Sequence, residues 1–345
     1  MVLELLFYHC AFLDPSLNRP ILSAEDRKRR DRRTPRLALR RYSESSFVYL
    51  FKSGCDQALL NCCGVDHKVF QQLVTLFAPV FNRYTFDKNT GIIRKLKLTK
   101  YGNRQGRKRG IDATGCLGLV LYWFRTRGSV ARAICMAFGV TSTPMYLWLK
   151  FSRRVLLFVL QNNSVAKITD PTTDEINEYI RAIGRKYPIL LEERVWGACD
   201  GLKLLLEQCT NWSIQNRFYN GWTSDTYVNS VFVFAPDGRI RIATINAPGS
   251  WHDSQMADYG VYQKMEELYN KHGAKVVVDS AFNLTSNPFL VKSSQKDPIG
   301  EPQGVTKNRA STSVRQLSEH GMRMLQGQNP RLKDCMRFEE LEKER

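Results

Sequence analysis

The sequence predicts an α/β or α+β domain behind an all-helical N-terminal domain. Three observations predict it. Apolar residues recur at helical spacing between about residues 47 and 183. From Val195 onward the pattern changes to short strand-like runs. One of these, residues 274–282, holds Val276, Val277 and Val278 in succession, which fits a strand buried on both faces. At 345 residues the chain is long enough for two or three domains.

Taken in order, residues 1–46 show no sustained periodicity beyond a first apolar dozen and read as a flexible basic arm. That apolar start lacks a basic leading region, so no signal peptide is expected, and no apolar run reaches transmembrane length. Residues 47–86 read as helical, with Val69, Leu73, Leu76 and Phe77 on one stripe and Pro79 as the expected break. The glycine-containing run 94–109 reads as a loop. Leu117, Leu119, Val120 and Leu121 open an apolar helix that ends near Arg127 and Gly128, and Ser129 can cap a second one through Phe138. After the turn 139–142, Thr143 and Pro144 suit the N-cap and first position of a third helix carrying Tyr146, Lys150, Arg153 and Arg154. Helix, short turn and basic helix make a helix-turn-helix pattern, whose last helix would enter a DNA major groove; a plain helical bundle explains the same spacing.

Thr173 and Asp174 begin an amphipathic helix with Ile176, Tyr179, Ile180 and Ile183 on one stripe, stopped by Pro188. Strands are expected over 195–200, 226–235 and 239–247, the last two joined by a Pro236-Asp237-Gly238 turn. A helix over 254–272, the strand into Asp279, a loop over 292–307 and a final helix over about 311–326 complete the pattern. The domains so predicted are 1–46 (basic arm), 47–190 (helical, DNA-binding), 191–333 (α/β) and 334–345 (charged tail).

The net charge is +18, and its distribution is uneven. Residues 27–41 carry nine basic side chains against one acid, and residues 94–109 carry eight against none. Concentrated positive charge suits a polyanion, and neither run is an amphipathic helix, so nucleic acid fits better than a membrane. Taken alone, each run also fits a solvated linker. The first run also reads as a nuclear-import signal, which gives the expected location as the nucleus. The DNA-contacting candidates are Arg94, Lys95, Lys97, Lys100, Arg104, Arg107, Lys108 and Arg109 in the second run, with Lys150, Arg153 and Arg154 on the third helix. Nine cysteines without a Cys-x-x-Cys pair fit reduced core thiols, neither a disulfide frame nor a zinc site.

Two predicted strands end in a carboxylate, Asp200 and Asp279. An acid at the end of a buried strand is costly to ionise unless something positive meets it. With Glu319 on the last helix, and Arg315 one turn earlier on the same face, these acids can form the site of a metal-dependent nuclease. Two divalent ions held by carboxylates can activate a nucleophile, stabilise the leaving oxygen and neutralise a phosphate. For any single acid, a solvated or salt-bridged side chain is the competing reading. His252 and Asp253 lie in a polar bend and can border the site, while Asp253 or Ser254 can equally cap the following helix. A glycosidase needs only paired carboxylates, but the basic charge distribution argues against it.

These residues resemble the harbinger-like (PIF/Harbinger) transposases of the DDE superfamily. The matching pieces, in order, are Gly197 to Gly201, Tyr219-Asn220-Gly221, Ala235 to Gly238, Pro248 to Ser254, Val278 to Phe282, and Asn308 through Arg315 to Glu319. The resemblance implies an RNase H-like α/β catalytic domain behind an all-α N-terminal domain containing a helix-turn-helix. In it Asp200, Asp279 and Glu319 would bind two Mg2+ (or Mn2+) ions and cut DNA at transposon ends. Asp253 is the reserve acid, with His252 and Arg315 beside the site. A Myb-like DNA-binding partner protein is implied, and a homo-oligomer is left open. Two positions depart from the family pattern: Trp222 stands near where a basic residue is common, and Phe282 follows the second acid where tyrosine is usual. Little chain follows Glu319, which keeps open a second reading, a catalytically inactive or domesticated relic that binds DNA through its basic segments.

Overall fold

The structure is a computed structural model that describes residues 36–86, 93–97, 109–128, 131–209, 211–279, 281–282, 287–292 and 302–336. These divide into two compact units, one built from residues up to 164 with 328–334, the other from 165–327 with the last described residues. The first is helical. Its basic arm is described only from Arg36, and from there it is ordered: 3-10 turns span Arg36–Ala38 and Tyr42–Glu44, and the Tyr42 hydroxyl donates to Asp112 Oδ1 at 2.7 Å.

Helices α1 (Ser46–Lys52), α2 (Asp56–Cys63) and α3 (His67–Arg83) follow, then strands β1 (Tyr84–Phe86) and β2 (Ile93–Lys95), which pair antiparallel. Next come α4 (Ala113–Arg125), α5 (Ala131–Phe138) and α6 (Ser142–Gln161). Asp66 and Asp112 cap α3 and α4 by accepting from the amides of Val69 and Gly115. α4 is apolar nearly all round and is the central helix, touching α1, α2, α3, α5 and α6. Pro79 lies inside α3 and does not end it, so the expected break moves to Arg83. The start of the expected 94–109 loop is strand β2, and the N-cap position of α6 is Thr141 rather than Thr143, without a side-chain capping bond. No described helix is long and apolar enough to cross a membrane, and the described cysteines are free thiols.

The second unit begins with α7 (Thr173–Lys186), opened by a capping box in which Thr172 and Glu175 bond reciprocally, and the short α8 (Pro188–Glu192). The expected domain boundary near 190 thus falls earlier, because Ile176, Tyr179 and Ile180 belong to the core beneath the sheet. Then come β3 (Val195–Leu205), α9 (Trp212–Phe218), β4 (Tyr219–Asn220), β5 (Asp225–Phe234) and β6 (Ile240–Pro248). The hairpin of β5 and β6 closes through the predicted Pro236-Asp237-Gly238 turn, where Asp237 accepts from the Arg239 amide at 2.9 Å. The single helix expected over 254–272 is two, α10 (Asp253–Ala257) and α11 (Val261–His272), separated at Gly260, whose φ is +107°. Strands β7 (Lys275–Val278) and β8 (Leu290–Lys292) and the long helix α12 (Pro302–Gln328) complete it. α12 begins inside the stretch expected to be a loop.

The sheet is mixed. Its central order is β6-β5-β3-β7-β8, with β5 antiparallel to β3 and β6, and β7 and β8 parallel to β3. Both faces are covered. On one, Trp196, Cys199, Val276 and Val278 pack with α7, α10 and α11; on the other, Val195, Ala198 and Val277 pack with α8 and the start of α12. α12 is fixed by Glu193, which pairs with Lys275 at 2.6 Å and with Lys307, and by Gly321, where an added Cβ would meet the Phe234 ring at 2.3 Å.

Candidate active site

Asp279 follows the last residue of β7, as the sequence predicts, but Asp200 does not end its strand: β3 runs five residues further, paired with β5 as far as Leu205 and Tyr227. Only the parallel partner stops. The β3–β7 register pairs Ala198 with Val277, so Asp200 and Asp279 lie level, two residues further along, where β7 has just ended. Side chains alternate across a pleated strand. Ala198 and Val277 face α12, and continuing that alternation turns both aspartates the same way.

α12 brings Arg315 and Glu319 to that face, one helical turn apart and joined by an ion pair of 2.7 Å. Arg315 also acts on Asp200, lowering the cost of its charge. Asp253 comes from the opposite side. It is the first residue of α10, whose N-cap is His252 with Gln255 reaching back to the His252 amide at 3.1 Å; neither Asp253 nor Ser254 is the cap. Its carboxylate lies over Gly201, where an added Cβ would fall 2.8 Å from Oδ2.

The carboxylates burden one another. Burial pushes Asp200 up to about 6, with the charges of Asp279 and Asp253 adding to it, while the Gly201 amide, which donates to Oδ1 at 2.8 Å, and Arg315 hold it back. Burial also raises Asp253, against the pull of Lys203 and His252. Hard carboxylate oxygens that repel one another are the donor chemistry of a divalent cation such as Mg2+. Their grouping is not closed, however. Among the described residues no three His, Cys, Asp or Glu side chains stand together closely enough to hold a metal. The physical reason lies in the two approaches: Arg315 engages Glu319, and Asp253 meets β3 from the far face.

The expected DNA-contacting side chains divide. Arg94, Lys95 and Lys97 are exposed, and Lys100, Arg104, Arg107 and Lys108 lie outside the described residues. Arg109 is turned inward, donating to the Phe81 carbonyl at 2.6 Å and to the Tyr84 carbonyl, with its guanidinium 4.2 Å from the centre of the Phe81 ring. On α6, Lys150 and Arg154 are half-buried, and Arg153 is buried with its guanidinium 5.1 Å from the Trp123 ring. Arg153 therefore does not face a duplex. The cause is packing: Met145, Leu149, Phe151, Val155, Leu156, Val159 and Leu160 bury α6 along its whole length.

Sequence reasoning missed two asparagines that shape the loops beside Asp253. Buried Asn220 donates to the Gly249 carbonyl at 2.9 Å and accepts from the amides of Trp222 and Thr223. Asn229 donates to the Trp251 carbonyl at 2.9 Å. The Tyr219-Asn220-Gly221 run was visible as a motif, but nothing in it announces a peg between distant loops. No curated protein and no solved structure matches the chain. Residues 199–342, which carry Asp200, Asp253, Asp279 and Glu319, match the family model of the DDE superfamily endonuclease.

Proposed function

We propose that the α/β unit is a transposase-like, metal-dependent DNA endonuclease of the DDE type, RNase H-like in the order of its central strands. The observation that carries the reading is the parallel register that sets Asp200 beside Asp279 on the face toward α12, within a segment similar to an endonuclease family. Asp200 and Asp279 would hold a divalent cation, Mg2+ or Mn2+, with Glu319 as the third ligand and Asp253 in reserve; a two-ion site is the fuller form. When bound, the metal would supply neutralisation of phosphate charge and an activated water. Asp200 must lose its proton before it can serve as a ligand. Arg315 keeps Glu319 oriented and has further donors in its planar fork for a phosphate oxygen. DNA is the substrate, and cutting at transposon ends, a harbinger-like lineage, a nuclear location and a Myb-like partner protein complete the proposal.

The test is nicking of supercoiled DNA by the full chain with Mg2+ or Mn2+. Activity should vanish with EDTA and fall to background in Asp200→Asn and in Asp279→Asn. Cleavage that survives both substitutions overturns the reading. A second reading, a DNA-binding relic without catalysis, is favoured by one observation, the engagement of Glu319 by Arg315. It predicts salt-sensitive DNA binding indifferent to both aspartates and no nicking with either metal.

A further inference from the structure

On the face of β3 away from Arg315, beside Asp253, a pocket of about 250 Å³ opens between two tryptophan-bearing loops. Lys203, Asn220, Trp222, Tyr227, Trp251 and Asp253 line it. Ala281, two residues past Asp279, also lines it, so the pocket reaches the chain that follows the second aspartate.

Three features of this pocket call for an occupant. Trp222 is 93% exposed, an indole that leaves its apolar face in water. It sits on a loop whose backbone Asn220 pegs at two amides, so its exposure is not that of a loose tip. Lys203 is exposed and holds its ammonium 4.9 Å from the centre of the Tyr227 ring, a cation at the pocket mouth. Asp253 adds a carboxylate acceptor inside.

We propose that this pocket receives one unpaired nucleotide of the DNA, next to the phosphate that the aspartates address. The inference deepens the nuclease reading and rests on it for the identity of the polymer. The base stacks on Trp222, as bases stack on aromatic platforms in single-strand binders. Its edge donates an amino group to Asp253, in the manner of cytosine N4 to an acid. Its phosphate takes Lys203. Nothing in the set requires a paired partner strand.

The experiment uses the full chain carrying Asp279→Asn, without metal, titrated into a short dye-labelled single-stranded deoxycytidine oligomer and read by fluorescence anisotropy of the dye. The expected result is a rise in anisotropy on binding, and weakening of roughly 5- to 100-fold in Trp222→Ala. Trp222 is too exposed for its removal to unfold the chain. Lys203→Gln removes the exposed cation assigned to the phosphate, and it should also weaken the oligomer. Duplex binding should be unchanged by Trp222→Ala. If the oligomer binds both variants as tightly as the parent, or binds none of the proteins, the pocket is not a nucleotide site, whatever the nicking assay gives. If nicking is absent from the wild type but the oligomer binds and Trp222→Ala loses it, the pocket stands and the nuclease reading falls.

Discussion

At the scale of single residues, Asp200 is where the fold and the proposed chemistry oppose each other. Its folded pKa of about 6 stands above the ordinary carboxylate value, chiefly through burial. A raised carboxylate favours the protonated form in the folded state. The cost is therefore absent below the unfolded pKa and grows as pH rises through about 6. Asp200→Asn, which can still accept from the Gly201 amide, should stabilise the protein at pH 8 by about 1–3 kcal/mol and change little at pH 4. Urea unfolding at the two pH values measures this, and equal effects at both would refute it. Arg315 acts in the other direction by holding Asp200 down. Arg315→Gln should move the Asp200 midpoint upward, read by NMR titration of the carboxyl carbon, and should raise the pH at which divalent cations begin to bind. Cation binding and loss of the Asp200 proton are the same event seen from two sides.

At the scale of elements, α12 is the part whose position the site depends on most. Gly321 sits half a turn past Glu319 and lies against the buried Phe234 ring. Gly321→Ala should cost about 1–3 kcal/mol through overpacking and reduce nicking by displacing Arg315 and Glu319. Gly327→Ala on the same helix meets nothing within 4 Å and should be neutral or slightly stabilising. Denaturation of the pair separates local packing from helix propensity. The elements that the sequence made legible are those with local signals: three valines in β7, the proline-glycine turn of the β5–β6 hairpin, and the amphipathic stripe of α7. Asp200 and Asp279 were legible for the same reason, each following an apolar strand run. The early start of α12 was hidden by a stretch rich in Pro, Gly, Ser and Gln, and the extension of β3 past Asp200 by a run that reads as ending in an acid. What no local pattern carries is contact across the fold. Asp253 lying over Gly201 and Arg315 engaging Glu319 depend on which helix covers which face.

At the scale of the molecule, the +18 charge predicts binding to a polyanion but does not say which cations make it. The burial of individual side chains separates those that meet solvent from those that do not. Arg94, Lys95 and Lys97 are exposed, whereas Arg153 is buried against Trp123, so equal formal charges should behave unequally. Each lysine or arginine that neutralises a phosphate of duplex DNA contributes about 0.9 to the slope of log affinity against log salt. Replacing Arg94, Lys95 and Lys97 together by glutamine should flatten that slope by about 2 to 3. Arg153→Met should leave the slope alone and act on stability, since it removes a guanidinium stacked within a core and not one presented to a phosphate. Fluorescence anisotropy over a salt series, with a melting curve for each variant, measures both quantities on the same samples. An unchanged slope in the triple variant would assign the phosphate contacts to other basic residues. A slope that flattened in Arg153→Met would mean that α6 turns its basic side chains outward on DNA, as a helix-turn-helix requires.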